Sequence, residues 1–587
     1  MNRIARVCDG ILRPVLSEPV FFMLMVLLGS SAPLSMQIFA GKSVTHYLLY
    51  AFSTCVLEAY ILCLFLLFIK WRPLKTAIKV VVYLYFGLFA TLMVGTGVLL
   101  KSAFNADILG LIAETDVHEA GGFFKAFMSW KAFLLLCVSI LFLILFALGV
   151  KVIRRLFPLS ERISIPAAIL LTIILGYGAK TAVYMTKGFA TPYSLRRNIA
   201  QPGRPDLKFG FQALFADPLF KSIDIVEEYR INYSDLADWE QLQSLAMKEP
   251  LEADTARHFH IAIVIGESFI RSHSSLYGYP LPTNPRLGEE LESGRLMLFG
   301  DMTSPANMTT ESVRNTLNLN DISSGERWCE GAYFPMLLKR AGWNVYHFDN
   351  QTVSKSSDAG IAGMFYSGFV MDHVLDGKSD STFPYDMAYV EYAAQQLSGR
   401  KPGKTFVLYH LLGQHFPASM RYEGSSCFSS GDIVSPGLDE EDRQLVADYD
   451  NATLYNDSVV SRIIEQWKDE CAVVVYFSDH GEDLPDLGGV EGRIVASPDD
   501  KAWIERQYHV PFMVWTSESF GREYPGLKSS IGEAAHRPGT TDRLGHLILG
   551  LCGIKSSRYR ADCDQASDYY RSKPRKSASG YDLELQP

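Results

Sequence analysis

Five apolar windows in the first third of the chain limit its fold more than any other feature of the sequence. They occupy residues 20–40, 47–69, 80–100, 132–150 and 163–184, and each is long enough to cross a bilayer, which takes about 20 residues. A cleaved signal peptide does not explain the first window, because four more follow it and no small-residue cleavage site ends it. The sequence therefore predicts a membrane domain of five spans over residues 1–185.

The basic residues predict the orientation of these spans. Arginine and lysine precede the first window and lie between the second and third and between the fourth and fifth. Such short segments stay on the cytoplasmic side. Everything after residue 185 is then expected on the outer side, together with the connection 101–131, whose amphipathic pattern suits the outer leaflet. The net charge of −9 gives no sign of the basic face that nucleic acid requires.

Three further parts follow the membrane domain. Residues 186–256 contain scattered prolines and are typical of a linker, with a surface helix near residues 221–230. Residues 257–570 alternate strand and helix patterns, which predicts an α/β domain with a mostly parallel sheet covered by helices. Residues 571–587 are a polar tail that we expect to be loose. The predicted strands are 261–265, 345–348, 405–411, 472–477 and 510–515.

Two of these strands end in side chains suited to metal chemistry. Glu267 follows the apolar run 261–265, and Asp479 and His480 follow the run 472–477. Each alone is more often a cap or a solvated loop residue. Because open α/β sheets bind ligands at the carboxyl ends of their strands, we expect the three to lie close together. Two carboxylates and an imidazole are a ligand set suited to zinc.

A threonine between these two strands adds a candidate nucleophile. Thr309 stands at the start of a helical pattern over residues 310–319, where a threonine is most often only a cap. The amino end of a helix also favours an anionic phosphate. A metal beside the hydroxyl would lower its pKa and activate it. We therefore predict Thr309 as the nucleophile, with the adjacent Thr310 as the alternative.

Short sequence motifs occur in four segments of the chain, at residues 266–285, 410–415, 449–451 and 478–482. The series resembles that of the bacterial phosphoethanolamine transferases, inner-membrane enzymes with five spans and a periplasmic domain of the alkaline phosphatase/sulfatase fold. The resemblance implies transfer of phosphoethanolamine from phosphatidylethanolamine to an envelope glycolipid by a monomeric enzyme. Segments 304–311 and 515–518 look most like the members that modify the lipopolysaccharide core heptose.

The resemblance also implies roles for single residues. Glu267, Thr309, Asp479 and His480 would hold one zinc ion or more, and Thr309 would carry the phosphoethanolamine in a covalent intermediate. The implied substrate-binding residues are Asn350, Lys355, His410, His415 and, for the donor's ammonium in the outer connection, Thr115 and Glu119. Leu111 stands where members that bind the ammonium usually carry asparagine. The family's Leu-His-Gly motif is absent from residues 487–493, and His509 is the candidate to replace its histidine.

Other interpretations compete with this one. A sulfatase would need Cys or Ser followed by x-Pro-x-Arg, and no such sequence occurs near Thr309. A phosphoglycerol transferase would share the five spans and the threonine, and lipid A is an alternative acceptor. A catalytically inactive membrane scaffold or sensor would keep the fold without the chemistry.

The nine cysteines give one more prediction. Four lie in or beside the membrane windows, where a thiol behaves as a small apolar side chain. Among the other five, Cys552 and Cys563 are the nearest pair in the sequence, and we predict a disulfide between them in an oxidising compartment.

Overall fold

The computed structural model of the chain forms two compact units. The first contains the described residues up to 222, and the second contains those from 235 onward. The structure describes residues 3–31, 45–99, 141, 143–153, 155, 161–189, 218, 222, 235–351, 373–376, 383–424, 426–488, 501–578 and 580–584.

The first unit is built of helices. They are α1 (Arg3–Ser17), α2 (Pro19–Gly29), α3 (Thr45–Phe68), α4 (Arg72–Leu99), α5 (Leu143–Ile153) and α6 (Glu161–Phe189). Met25, Cys63 and Phe86, from α2, α3 and α4, lie in one buried apolar cluster. The helices therefore share a core, and large apolar side chains such as Leu84 and Ile173 remain exposed, as expected of a surface that faces lipid.

The described residues support two or three of the five predicted membrane spans. Within the described residues, Arg72–Gly95 and Ile165–Ala182 are each long and apolar enough to cross a bilayer, and α1 with α2 would add a third if that bent pair formed one span. Parts of the first and fourth predicted windows and the whole connection 101–131 lie outside the described residues. The number five stays a prediction.

A seven-stranded sheet organises the second unit. From edge to edge its strands are β3 (Leu296–Leu298), β9 (Phe512–Thr516), β8 (Ala472–Ser478), β2 (His260–Gly266), β7 (Thr405–His410), β5 (Asn344–Asp349) and β6 (His373–Asp376). Two short pairs accompany it, β1 (Leu251–Ala253) with β11 (Ile554–Ser556) and β4 (Met302–Thr303) with β10 (Gly539–Thr540). The five predicted strands are confirmed.

The sheet is mixed, which corrects the prediction of a mostly parallel sheet. Strands β8, β2, β7, β5 and β6 pair in parallel, whereas β9 pairs antiparallel with both β8 and β3. The sequence did not reveal the direction of β9, because a strand buried on both faces has a continuous apolar pattern in either direction.

Helices cover both faces of this sheet, as predicted. Ile261, Ile263 and Ile265 of β2 belong to one hydrophobic core, and Ala262 and Val264 belong to another, as the alternation of side chains along a strand requires. The helices of this unit are α7 (235–246), α8 (Pro285–Glu292), α9 (Thr309–Leu317), α10 (Phe334–Arg340), α11 (Asp386–Ser398), α12 (Glu440–Trp467), α13 (Lys501–Tyr508), α14 (Glu518–Glu523), α15 (Pro525–Ala534) and α16 (Leu544–Cys552).

The second unit begins earlier in the chain than the predicted boundary at residue 257. Trp239 of α7 is fully buried against the rings of Trp328 and Tyr333. Its indole N–H donates to the side chain of Asn318 at 2.8 Å. Residues from 235 onward therefore belong to the domain and not to a linker. The predicted surface helix at 221–230 lies almost entirely outside the described residues.

The polar tail is also part of the domain, which corrects the expectation that it is loose. The side chain of Arg575 is only 3% exposed and pairs with Asp301 at 2.5 Å and with Glu584 at 3.3 Å. Leu583 is buried beside Trp503. The described residues 571–584 thus pack and pair like the rest of the unit.

One tail residue also completes a buried ion network around Asp321. Three cations approach this carboxylate, at 3.0 to 3.3 Å: Arg543, Arg560 and Lys573. Burial raises the pKa of Asp321, but these cations and neighbouring hydroxyls outweigh burial and hold it well below its usual range.

The predicted disulfide between Cys552 and Cys563 is wrong, since both thiols are free and buried. Cys552 ends α16 inside a hydrophobic core, whereas the sulfur of Cys563 lies 3.5 Å from the ammonium of Lys573. A disulfide needs Cβ atoms that face each other, and a short separation in the sequence does not provide that.

Candidate active site

The carboxyl ends of four neighbouring strands lie side by side at one edge of the sheet. Gly266 at the end of β2 is opposite Ser478 at the end of β8. On its other side β2 pairs with β7, whose last residue, His410, is opposite Asp349 at the end of β5. The chain leaves β2 through Glu267. The polar residues that follow these strands are thereby brought to one place, as the strand pattern predicted.

Three buried side chains form a compact cluster at this edge. Glu267, Asp479 and His480 are each 0% exposed. The Nε2 atom of His480 lies 3.2 Å from a carboxylate oxygen of Glu267 and 3.2 Å from one of Asp479. All three possible ligand atoms lie within 4.8 Å of one another.

Thr309 joins this cluster from the first residue of α9. Its hydroxyl donates to Glu267 at 3.0 Å and lies 3.3 Å from Nε2 of His480. One turn further on, the hydroxyl of Ser312 donates to the backbone carbonyl of Asp479 at 2.5 Å. This second bond ties the start of α9 to the loop after β8, so the helix amino end faces the cluster.

The separations from His480 to the other three side chains suit ligands of one zinc ion. Zinc binds oxygen and nitrogen ligands at about 2.0–2.1 Å, which places neighbouring ligands about 3.3 Å apart. The separations from His480 to Glu267, Asp479 and Thr309 are 3.2, 3.2 and 3.3 Å. Nδ1 of His480 lies 2.6 Å from the carbonyl of Gly481, and a hydrogen bond there leaves Nε2 as the ligand atom.

A buried tyrosine stabilises a strained backbone conformation next to Glu267. Ser268 has a φ of +57°, a conformation that side-chain-bearing residues rarely adopt. Tyr449 of α12 donates its hydroxyl to the Ser268 carbonyl at 2.5 Å and accepts the Ile270 amide at 2.7 Å. In this conformation the hydroxyl of Ser268 donates to Glu267 at 2.8 Å and its amide to Asp479 at 3.2 Å. No local sequence pattern predicted this arrangement.

We therefore expect Tyr449→Phe to weaken zinc binding by about tenfold or more, the usual effect of losing an outer partner of a ligand. The hydroxyl that fixes Ser268 would be gone, while the ring would keep its place. Competition with a chromophoric chelator on the purified protein measures the affinity.

The matched control for this prediction is Tyr409→Phe. Tyr409 is equally buried, and its hydroxyl donates to Gln466 at 3.0 Å on the side of the α12 core. We expect this variant to keep the zinc affinity of the unaltered chain. Equal weakening in both variants would mean that the loss comes from general destabilisation.

Two further contacts reach Glu267 that the sequence did not predict. Gln351, just beyond β5, donates its side-chain amide to Glu267 at 2.8 Å and to the Leu411 carbonyl at 2.9 Å. Gly413 has a φ of +50°, and a Cβ there would lie 2.7 Å from the Glu267 amide nitrogen. Glycine is therefore required at this close approach. Gln351 lies in the segment 349–355 that carries the predicted phosphate lysine.

The predicted substrate residues His410 and Asn350 lie beside this cluster. Nδ1 of His410 is 3.1 Å from Asp349. Burial lowers the pKa of His410, but Asp349 and two further carboxylates outweigh burial and raise it above the ordinary value. The side-chain amide of Asn350 donates a hydrogen bond to the buried Asp386 at 2.8 Å. This bond stabilises the fold.

The other predicted residues are less closely associated with the cluster. His415 follows Gln414, whose backbone N–H donates to the Glu267 carbonyl at 3.0 Å. The ring of His415 contacts the Phe416 carbonyl. Buried His509 lies 3.7 Å from Asp301 and is not a member of the three-residue cluster. Burial lowers the pKa of His509 to about 4. Lys355, Thr115 and Glu119 lie outside the described residues.

The motif around Tyr279 has a structural role. His273 is buried between Asp450 at 2.8 Å and Asp486 at 3.2 Å, and Tyr279 donates to Asp450 at 2.7 Å. Burial lowers the pKa of His273, but hydrogen bonds to the two carboxylates outweigh it and raise the pKa to about 9. The charged imidazole links the loop after β2 to α12 and to the loop after β8.

A second acidic group lies apart from this site. Asp235, Asp238 and Cys329 could also converge on an ion. The guanidinium of Arg327, however, lies 2.8 Å from Asp235 and 3.4 Å from Asp238. The guanidinium of Arg327 therefore already forms ion pairs with these carboxylates.

The mixed sheet and the buried cluster at its edge define an α/β domain of the sulfatase type. The family model described as sulfatase matches residues 260–554, about half of the 587 residues. The chain belongs to this family.

Curated relatives indicate which members of the sulfatase family this chain is similar to. Phosphoethanolamine transferase EptC of Escherichia coli K12 is 28% identical over 306 residues, which cover 51% of this chain and 52% of EptC. This chain thus matches about half the length of that relative. Phosphoethanolamine transferase CptA of Salmonella typhimurium is 25% identical over 468 residues, 78% of this chain and 76% of CptA.

Solved structures show the same fold. The C-terminal periplasmic domain of E. coli EptC in complex with zinc aligns with a TM-score of 0.50 at 24% identity, over 57% of this chain and 93% of that one. The integral membrane protein lipooligosaccharide phosphoethanolamine transferase A (EptA) of Neisseria meningitidis aligns with a TM-score of 0.62 at 18% identity, over 93% of this chain and 98% of that one.

Proposed function

We propose that this chain is a zinc-dependent phosphoethanolamine transferase of the bacterial inner membrane, with its second unit in the periplasm. The single observation that carries the proposal is the hydroxyl of Thr309, which lies at a helix start 3.0 Å from Glu267 and 3.3 Å from His480. The relatives named as phosphoethanolamine transferases support this group over phosphoglycerol, and the zinc complex of EptC supports the metal.

The chain's own residues prepare the first half of the reaction. Glu267, Asp479 and His480 would hold zinc with Thr309, and zinc when bound supplies a positive charge that favours the ionised hydroxyl and a phosphate oxygen. Thr309 is positioned by Glu267 and by the bond from Ser312. The amino end of α9 favours the anionic phosphate that approaches it.

The transfer proceeds in two displacements. The Thr309 oxygen forms a bond to the phosphorus of phosphatidylethanolamine, the bond from phosphorus to the glycerol oxygen breaks, and diacylglycerol leaves with the proton that the Thr309 hydroxyl gives up. The oxygen of an acceptor hydroxyl then forms a bond to the same phosphorus, the bond from phosphorus to Thr309 breaks, and the Thr309 oxygen regains a proton as the acceptor loses one. The protein thus holds the phosphoryl group while one lipid substrate replaces the other.

The substrate contacts are part of the proposal. His410 and His415 would line the site with Asn350, and Lys355 would offset charge on the phosphate oxygens. Thr115 and Glu119 of the outer connection would receive the ammonium of the donor. His509 is buried and uncharged near neutral pH. It stays the candidate to replace the histidine of the absent Leu-His-Gly motif.

We propose the lipopolysaccharide core heptose as the acceptor, with lipid A as the second candidate. The segments 304–311 and 515–518 support the first. Mass spectrometry of envelope glycolipids from cells with and without the gene tests both, with the gene for Thr309→Ala as control. We expect phosphoethanolamine on core fragments only with the unaltered gene. Its appearance on lipid A fragments would replace the acceptor, and its absence from every glycolipid would contradict the transfer activity.

A further inference from the structure

Helix α1 turns sharply away from the apolar helix that follows it. The axes of α1 and α2 differ by 75° at the break after Ser17. Glu18, the residue at the break, pairs with Lys75 at 2.7 Å and with Lys79 at 3.1 Å. Both lysines lie near the start of α4. These ion pairs fix the bend at the level where α4 begins.

The start of α4 has the character of a membrane surface. Trp71, directly before α4, is 65% exposed. Exposed tryptophan and lysine beside an apolar helix are typical of the boundary between hydrocarbon and water. Since α4 enters the membrane from this level, the bend at Glu18 lies at the same surface.

The composition of α1 suits that surface and does not suit the membrane interior. Arg6, Asp9 and Arg13 share one face of the helix and are exposed. A helix that crossed the hydrocarbon would have to bury all three charges, which is strongly unfavourable. The charges therefore indicate that α1 runs along the membrane and does not continue the span of α2.

The opposite face of α1 is apolar and only partly covered by protein. Cys8 and Leu12 are buried against Ala168 of α6. Ile4 and Val7, next to them on the same side, are 58% and 59% exposed. A helix with one charged face and one open apolar face is typical of segments that lie in the plane of a membrane surface.

We propose that α1 is a membrane-surface helix that binds anionic phospholipids. Ile4 and Val7 enter the acyl boundary, and Arg6 and Arg13 contact the phosphates of neighbouring headgroups. The inference rests on the predicted cytoplasmic side of the amino terminus, where anionic lipid attracts basic segments, and it is independent of phosphoethanolamine transfer.

Native mass spectrometry of the full chain from nanodiscs tests the lipid contact. The discs would contain phosphatidylglycerol and phosphatidylcholine, and the number of phosphatidylglycerol molecules retained would be compared between variants. We expect Arg6→Gln and Arg13→Gln each to weaken phosphatidylglycerol binding about fivefold. The control is Lys248→Gln, which removes an exposed charge in the second unit, outside the candidate membrane spans. Equal retention in all four proteins would overturn the proposal.

Photo-crosslinking tests the orientation of the helix separately. A benzophenone amino acid in place of Val7 should attach to lipid in the same discs, and one in place of Asp9 should not. Crosslinks from position 7 to a second protein chain would show that a protein covers this face, and equal lipid labelling from both positions would show that α1 is not oriented. Either result would overturn the proposal.

Discussion

Thr309→Ala is expected to abolish the covalent adduct and to reduce transfer by at least about a thousandfold, the scale on which loss of a nucleophile acts in enzymes with covalent intermediates. Incubated with phosphatidylethanolamine alone, the unaltered chain should gain one phosphoethanolamine on the peptide that contains Thr309. Intact-mass and peptide spectra measure the adduct.

The large effect follows from the position of the hydroxyl. The side chain of Thr309 contacts both Glu267 and His480. An alanine removes that oxygen and leaves the bond from Ser312 to the Asp479 carbonyl in place. The helix start should therefore keep its position, and the loss should be chemical.

Thr310→Ala is the control for this experiment, because it deletes the same group one residue further along α9. We expect this variant to form the adduct and to retain transfer. An adduct on Thr310 would move the nucleophile by one residue, and transfer without any adduct would contradict the two-step reaction.

Asp479→Asn should reduce the zinc content from about one ion per chain to nearly none and abolish most transfer. The amide keeps the shape of the buried side chain but lacks the charge that binds the metal. The amide can still accept the Ser268 and His480 backbone N–H groups that Asp479 accepts at 3.2 and 2.8 Å. The second unit should therefore stay folded, which circular dichroism checks while elemental analysis measures zinc.

Asp238→Asn is the matched control for the metal experiment. Asp238 belongs to the other acidic group of the described residues, where Arg327 already pairs with the carboxylates. We expect normal zinc content in this variant. Loss of zinc from Asp238→Asn, or full transfer by Asp479→Asn, would contradict the assignment of the metal site.

The central part of this site could be predicted because it depends on strand ends. A buried apolar run that ends at a carboxylate predicts both a strand and the side chain that lies at the edge of the sheet. This pattern predicted the positions of Glu267, Asp479 and His480. Thr309 followed from the start of a helix pattern. The structure brings these four side chains together. Their binding of zinc and the role of Thr309 stay predictions.

Other features depend on contacts that no local pattern encodes. The left-handed conformation of Ser268 is set by Tyr449, which lies 181 positions later in the chain. Gln351 reaches Glu267 only because β5 and β2 flank the same strand. The direction of β9 and the separate surroundings of Cys552 and Cys563 depend on the completed fold in the same way.

The contacts of the polar tail constrain when the second unit can fold during synthesis. Asp321 lies in the first third of the second unit, but its partners Arg543, Arg560 and Lys573 follow more than 220 positions later. β1, near the beginning of the unit, pairs with β11 near its end. Until Lys573 has been synthesised, the carboxylate of Asp321 therefore lacks one of its three cations. The native contacts of Asp321 and of β1 therefore form only after residues 543–573 have been synthesised.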